Sequence, residues 1–182
     1  MQSVPIPPNP LFWNKILVPA MLGGPIAPFH HIIPFMVFPY DVGSLDRSDA
    51  FPRGQTAFRP LLTATLRIGS LSTTPFQGLV DSGADYCIFP AIFAKSIGLD
   101  YESLPKAEAR GLGEDQGMRF ATVTLDVAKL GAWEIYAGFS ELWKEDRIGM
   151  FGQLGFFDRF KITFDASRKI FEVTEYEQER TI

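Results

Sequence analysis

The chain has 182 residues, a length typical of one domain that can bury a core without disulfide staples. It carries 17 basic and 21 acidic side chains, a net charge of −4, and the scattered Lys and Arg residues argue against a nucleic-acid-binding surface. The single cysteine, Cys87, excludes an intrachain disulfide. The only histidines, His30 and His31, have no accompanying cluster of Cys or carboxylate ligands, so no metal and no cofactor is predicted.

The N-terminal part of the chain is rich in proline and shows no sustained hydrophobic period. Residues 1–55 are therefore predicted to form an irregular, apolar arm ahead of a domain over 56–182. Residues 16–40 contain no charged side chain, but a membrane span is not expected, because dense prolines would leave backbone groups unpaired in lipid. These prolines are Pro19, Pro25, Pro28, Pro34 and Pro39. The lack of a recognisable signal-peptide pattern favours the cytoplasm.

The predicted domain opens with the strand RPLLTATLRIG, in which Thr63, Thr65 and Arg67 alternate with apolar residues. Strict alternation of this kind predicts a half-buried strand. A turn over GSLSTTPFQ leads to the apolar runs GLV and YCIF, which flank the tetrapeptide DSGA. Pro90 and Gly98 then bracket a predicted short helix, AIFAKSI, because proline favours the first helical turn and glycine the position after the last.

The second half of the domain continues mainly with strands. The glycine-rich stretch RGLGEDQGMR, residues 110–119, is followed by the strands FATVTLDV and WEIYAGF. The short apolar stretch GMFG precedes LGFFDRF, which is predicted to form one or two helical turns, and KITFD and RKIFEV form a hairpin across Ala166 and Ser167. The chain is therefore predicted to be mostly β with two short helices, folded as a small closed barrel or a sandwich.

The segment GLVDSGADYCIF carries the chemistry that the sequence offers. It places Asp81 between apolar runs that indicate buried strands, and a carboxylate there needs a physical reason, because burying a charge is costly unless it is paired or neutralised. Gly83 permits a tight turn whose backbone N–H groups can point at the Asp81 carboxylate. A carboxylate held in this way suits general acid–base chemistry.

A single fixed carboxylate makes a poor hydrolase. Two facing carboxylates share a proton, so that one takes a proton from water and the other donates to the substrate carbonyl. The sequence contains one DSG, so the second Asp would come from another copy of the chain, in a symmetric dimer with Asp81 near its two-fold axis.

These motifs, taken in order, resemble those of the retropepsins, the retroviral-type aspartic proteases. The family's active-site motif is resembled by DSGA after GLV, and the strand before that motif is resembled by RPLLTATLRIG. The family's glycine-rich flap is resembled by RGLGEDQGM. Met150-Phe151-Gly152 resembles the second signature, and LGFFDRF the short helix that follows it. The likeness covers roughly residues 57–165 and is more specific than any one motif. It implies a closed β-barrel half with short helices, which acts as a homodimer on a peptide or protein substrate.

The resemblance also implies a role for each matching residue. Asp81 would be the catalytic carboxylate, Ser82 would hydrogen-bond across the dimer axis, and Asp85 would bind substrate backbone and form an ion pair near the interface. Other implied site residues are Gly83, Ala84 and Gly152, which would support the catalytic loop, and Gly111, Leu112 and Gly113, the flap residues that would bind substrate.

The chain departs from the family at Gln153, where the retropepsins carry an arginine. This departure leaves the predicted ion pair of Asp85 without its usual partner, and Arg159 and Arg110 are the candidates to replace it. The interleaved terminal strands of the family's dimer have no clear equivalent in the sequence.

Each motif also has an interpretation without catalysis. DSG is a common turn sequence, Asp85 can be a structural carboxylate, and RGLGEDQG can be a plain hairpin tip. Cys87 is expected to be a small buried hydrophobe, and the phenylalanines over 151–160 are expected in the core or an interface. The alternative function is a catalytically weak or inactive dimeric peptide-binding module of the same fold. Residues 1–55 could also act as a pro-segment that covers the cleft.

Overall fold

The structure is a computed structural model, and it describes residues 35–45, 47–108, 117–141 and 148–176. The described residues are mostly β-strand, with one short α-helix, α1 (Ala91–Ser96), and a 3-10 helix over Tyr101–Ser103. The strands are β1 (Phe35–Pro39), β2 (Asp41–Leu45), β3 (Gln55–Arg59), β4 (Leu61–Ile68), β5 (Leu71–Ser72), β6 (Phe76–Val80), β7 (Ile88–Pro90), β8 (Lys106–Glu108), β9 (Gly117–Val127), β10 (Gly131–Ser140), β11 (Ile148–Phe151), β12 (Phe160–Asp165) and β13 (Ile170–Glu175).

Six of these strands close into a barrel. The order of hydrogen-bonded neighbours is β4-β6-β11-β7-β10-β9, and β9 pairs back onto β4 with Leu66 opposite Leu125. Strands β5 and β8 extend the same sheet outside this ring. The prediction of a mostly β chain with a closed barrel and little helix is therefore confirmed.

The alternation seen in the sequence sets which side chains fill the barrel. In β4, Leu62, Ala64 and Leu66 are buried, whereas Thr63 is exposed. Successive strand residues point to opposite faces, so a period of two separates the core face from the outer face. The second half of strand β9 follows the same rule, with Ala121, Val123, Leu125 and Val127 buried. Met118 and Phe120, earlier in the strand, are also buried, but in a separate apolar cluster.

A second, three-stranded sheet joins the two ends of the described chain. Its order is β1-β13-β12, all antiparallel, with Phe38 opposite Phe171 in the buried layer. Residues 35–45 were expected to be irregular, but they form β1 and the first strand of the β2–β3 hairpin. The reason is non-local, because β1 is held by pairing with β13 more than a hundred positions later in the chain. The domain boundary predicted at residue 56 stays a prediction, and residues 1–34 lie outside the described residues.

The two predicted helices have different outcomes. Helix α1 is confirmed: it follows Pro90, and Gly98 at its end has a φ of +81° and donates to Lys95 O. In LGFFDRF, residues 154–160, turns cover 155–159, while Leu154 forms a bridge with Tyr86 and Phe160 begins β12, so no regular helix forms. Gly155 has a φ of +100°, outside the helical region, and its carbonyl accepts the Trp133 indole N–H at 2.8 Å. The predicted helical turns are therefore reduced to one, closed by Phe160 N–H donating to Phe156 O at 3.0 Å.

The described strands and helix belong to a compact unit that spans Ile33–Ile182. Within the four described ranges, none of the helices is long and apolar enough to cross a membrane. The same residues contain no group of three or more His, Cys, Asp or Glu side chains arranged to hold a metal ion.

Candidate active site

Asp81 lies where two parallel strands of the barrel end side by side. Strand β6 pairs with β11 in parallel, with Val80 opposite Phe151, and Asp81 is the next residue after β6. Its backbone N–H donates to Phe151 O at 3.1 Å, which extends the strand pairing by one step. The start of the DSGA turn is thereby fixed to the barrel wall.

The turn itself points a backbone donor at the Asp81 carboxylate. Gly83 N–H donates to Asp81 Oδ1 at 2.9 Å, and Ala84 N–H donates to Asp81 O at 3.3 Å. In the described part of the chain, no other group donates to this carboxylate, which is half-buried. The expected backbone donor is therefore present, and it fixes the carboxylate while leaving its second oxygen available to a partner.

Glycine at position 83 avoids crowding of the Asp81 carboxylate and is not required by an unusual backbone angle. Gly83 is not among the described glycines with positive φ, but a Cβ on it would lie 3.3 Å from Asp81 Oδ1. A side chain there would press against the carboxylate that its own N–H binds. The sequence argument, in contrast, attributed Gly83 to the backbone freedom that a tight turn requires.

The second signature packs directly behind the turn. A Cβ on Gly152 would overlap Tyr86 O and lie 2.7 Å from Ala84 O, so only glycine fits between β11 and the loop. The next residue, Gln153, donates its backbone N–H to Ala84 O at 2.8 Å and its side-chain Nε2 to Ser82 O at 2.7 Å. Ser82 itself is an exposed residue. The DSGA turn and the segment that begins with Met150-Phe151-Gly152 are thus in contact.

A layer of aromatic rings supports this arrangement from below. Phe151 is fully buried and stacks on Phe156 with ring centroids 5.1 Å apart. A Cβ on Gly78 in β6 would overlap the Phe151 ring, so this glycine gives the ring its place beneath the turn. The expectation that these phenylalanines form core is confirmed for Phe151, Phe156 and Phe160, which are all buried.

Cys87 is buried beside the same loop. Its side chain is fully inaccessible, and the pKa of the thiol is raised to about 12. Burial is the main cause, a backbone hydrogen bond from Gly152 opposes it, and the nearby Asp158 charge adds to it. A thiol at neutral pH is then both protonated and out of reach. This agrees with the expectation of a small buried hydrophobe.

We expect Cys87 to resist iodoacetamide at pH 7.5 in the folded protein and to react at the normal rate in denaturant, because the thiolate is the reactive form. Mass spectrometry of the alkylated chain measures both rates, and the unfolded chain serves as the control. Rapid alkylation of the native protein would contradict the buried placement.

Asp85 follows the turn and is exposed. None of the described residues forms an ion pair with it. The pKa of the neighbouring Tyr86 is raised by the burial of the Tyr86 ring and, to a lesser extent, by the Asp85 charge. Arg159, one of the two candidate partners, pairs with Glu175 and lies over the Trp133 ring. The other candidate, Arg110, lies outside the described residues. Arg159 therefore pairs with Glu175 and not with Asp85. The substrate-binding role of Asp85 stays a prediction.

The predicted flap is described only at its base. Strand β8 pairs with β9 in antiparallel fashion, with Glu108 opposite Gly117, so the two strands form a hairpin. The implied substrate-binding residues Gly111, Leu112 and Gly113 lie in 109–116, outside the described residues. Their role stays a prediction.

A small apolar cluster borders the loop on the outside of the main core. Its buried members are Ile88, Met118 and Phe120, and Tyr86 and Met150 pack against them. The Tyr86 and Phe120 rings meet edge to face with centroids 5.1 Å apart. Two surface pockets of about 310 and 270 Å³ lie on other parts of the chain, and Asp81 lines neither. The apolar cluster therefore adjoins the turn in sequence through Tyr86, two residues after Ala84.

No family model matches the chain, and no curated protein matches it. Among solved structures, the crystal structure of a retropepsin-like aspartic protease from Rickettsia conorii matches with a TM-score of 0.46 and 15% sequence identity. That match covers 76% of this chain and 95% of the other. The function of this chain is therefore inferred from its own residues.

Proposed function

We propose that this chain is one half of an aspartic endopeptidase of the retropepsin type, active as a homodimer in which two Asp81 carboxylates face each other. The observation that carries the proposal is the Asp81 turn. A half-buried carboxylate is held at one oxygen by Gly83 N–H at 2.9 Å, on a turn anchored to two parallel strands. Rigid placement of an acid–base group by backbone donors is what hydrolysis without a cofactor requires.

The second carboxylate comes from the partner subunit in this proposal. Two like charges held close cannot both ionise easily, so the pair keeps one proton. The ionised member takes a proton from a water held between them, the water oxygen attacks the peptide carbonyl, and the protonated member donates to the carbonyl oxygen. Transfer of a proton to the amide nitrogen then completes C–N cleavage, giving a carboxylic acid and an amine. Because the pair must hold one proton, activity is expected at acidic pH.

The substrate is proposed to bind as an extended peptide between the subunits, where it pairs with the flap hairpin as an added strand. The apolar cluster of Ile88, Met118, Phe120, Tyr86 and Met150 includes the half-buried Tyr86, which follows the turn in sequence, and this supports a preference for hydrophobic side chains near the cleaved bond.

A mixed peptide library at about pH 5, an acidic value chosen for a proton-sharing pair, tests the proposal. We expect cleavage by the wild-type chain next to hydrophobic residues, and inhibition by a hydroxyl-containing transition-state mimic such as pepstatin. Light scattering on the same sample should give the mass of a dimer. A folded dimer that cleaves nothing would contradict the proposed activity.

One observation favours the second candidate, a dimeric module that binds peptide without cleaving it. Asp85 has no ion-pair partner among the described residues, and Gln153 stands where the family has its arginine. A site that has lost this contact can keep the fold without keeping turnover. Peptide affinity measured by calorimetry, with no cleavage products by mass spectrometry, would favour the binding module.

A further inference from the structure

Gln153 holds the Asp81 turn at two points. Its backbone N–H donates to Ala84 O at 2.8 Å, and its side-chain Nε2 donates to Ser82 O at 2.7 Å. The two acceptors lie on either side of Gly83, whose N–H binds the Asp81 carboxylate. The side-chain contact joins residues 71 positions apart in the sequence.

The contact at Ser82 O acts on the peptide group that binds Asp81. Ser82 C=O and Gly83 N–H belong to one planar peptide unit, and none of the described peptide bonds is cis. The oxygen and the N–H of a trans unit point in opposite directions. An amide donor on the oxygen side and a carboxylate on the N–H side therefore fix the rotation of the whole peptide plane. The two hydrogen bonds share one peptide group, and hydrogen bonds connected in this way strengthen one another.

We propose that Gln153 is a positioning residue for the catalytic carboxylate. Its amide orients the Ser82–Gly83 peptide so that Gly83 N–H stays directed at Asp81 Oδ1. The amide is neutral, so it orients the turn without adding a charge beside the proposed pair of carboxylates. The kinetic part of this inference rests on the proposed function, whereas its structural part does not.

Gln153→Met removes the donor and keeps the length of the side chain. We expect kcat for peptide cleavage to fall by roughly 2- to 10-fold, the range given by the net strength of an amide–carbonyl hydrogen bond, with little change in KM. Hydrogen exchange at Gly83 N–H, measured by NMR, should accelerate by a similar factor. Gln77→Met is the matched control, because Gln77 Nε2 donates at 3.2 Å to Thr63 Oγ1 on the barrel surface, and both readouts should stay at wild-type values.

Gln153→Glu makes the contact dependent on pH. A protonated carboxyl can donate to Ser82 O, whereas an ionised one repels it, so the ratio of Glu-variant to Met-variant kcat should fall as pH rises through about 4.3, the ordinary carboxyl value. The carboxyl groups of Asp81, Asp85 and Asp158 are nearby, and Asp158 N–H donates to Gln153 O at 2.9 Å. These groups are the same in both variants, so the ratio reports position 153.

Wild-type kcat and wild-type Gly83 exchange in Gln153→Met would overturn the inference, and so would a ratio that does not change with pH. Equal effects of Gln77→Met would also overturn it, since the effect would then be general to the loss of an exposed amide. A wild-type chain that cleaves no peptide, combined with faster Gly83 exchange in Gln153→Met, would remove the proposed activity and support the positioning of the turn.

Discussion

Asp81→Asn is expected to lower kcat for peptide cleavage by at least about 10³-fold, because the amide can neither take a proton from water nor share one with a partner. In a homodimer the substitution removes both carboxylates at once. The fold should persist, since Asn Oδ1 can still accept Gly83 N–H, which lies 2.9 Å from the Asp81 oxygen. We expect the free energy of unfolding to change by less than about 1 kcal/mol, the net strength of one such hydrogen bond.

The matched control is Asp100→Asn, which makes the same chemical change at an exposed position. Asp100 precedes the 3-10 helix and makes no capping hydrogen bond with its side chain, so turnover and stability should equal those of the wild type. Product formation by chromatography and thermal unfolding by circular dichroism measure the two quantities. Full activity in Asp81→Asn would refute the catalytic assignment, whichever way the control behaves.

Mixing the two proteins tests whether the carboxylates come from different subunits. If subunits exchange at random, only dimers with two wild-type chains are active, so an equal mixture should have about one quarter of the activity of the same total amount of wild type. Activity of about one half would mean that each chain works alone. The mixture therefore separates a shared pair of carboxylates from a site within one chain.

The parts of the fold that could be predicted from the sequence depend on local patterns. The alternation of β4 placed Leu62, Ala64, Leu66 and Ile68 on one face; the first three are buried, and Ile68 at the end of the strand is half-buried. Pro90 and Gly98 marked a helix that the structure contains. These features are decided by side-chain period and by backbone preferences within a few residues, which a single sequence records directly.

The parts that could not be predicted depend on contacts between distant segments. Strand β1 lies in a proline-rich stretch without a period, and only its pairing with β13 makes it a strand. The segment 154–160 has a helical pattern, but the Trp133 indole takes the Gly155 carbonyl and a positive φ at Gly155 prevents a regular helix. Tertiary contacts outweigh propensity in both places.

The candidate site shows the same division. DSG and its apolar flanks predicted a turn whose backbone N–H groups point at Asp81, and Gly83 N–H is such a donor, because the whole turn is local. The contact from Gln153 to Ser82 O was missed, since it joins two loops through a side chain whose orientation the sequence does not encode. The sequence did carry one signal at this position. Residue 153 is a glutamine, whereas the retropepsins, which the motifs resemble, have an arginine there.

Gly152→Ala should disrupt the site, because the added methyl group would meet the backbone of the loop that carries Asp81. The added Cβ would overlap Tyr86 O and lie 2.6 Å from the Tyr86 carbonyl carbon and 2.7 Å from Ala84 O. All three are backbone atoms, so the clash is relieved only by moving the loop or β11. Overpacking of this kind typically costs about 1–3 kcal/mol of stability, and displacement of a catalytic group by about 1 Å lowers turnover by roughly 10²-fold.

The matched control for this prediction is Gly43→Ala, a glycine in strand β2. Its φ is not positive, and the nearest atom to an added Cβ is Ala57 O at 3.9 Å, an ordinary contact. Glycine inside a strand carries an entropic cost, so alanine there should leave stability unchanged or raise it by up to about 1 kcal/mol, with wild-type kcat. Both variants are to be assayed well below their unfolding midpoints, so that a loss of kcat in Gly152→Ala reports geometry and not unfolded protein. Wild-type kcat and stability in Gly152→Ala would mean that the loop can yield around a methyl group, and that close packing of β11 against the turn does not hold Asp81 in place.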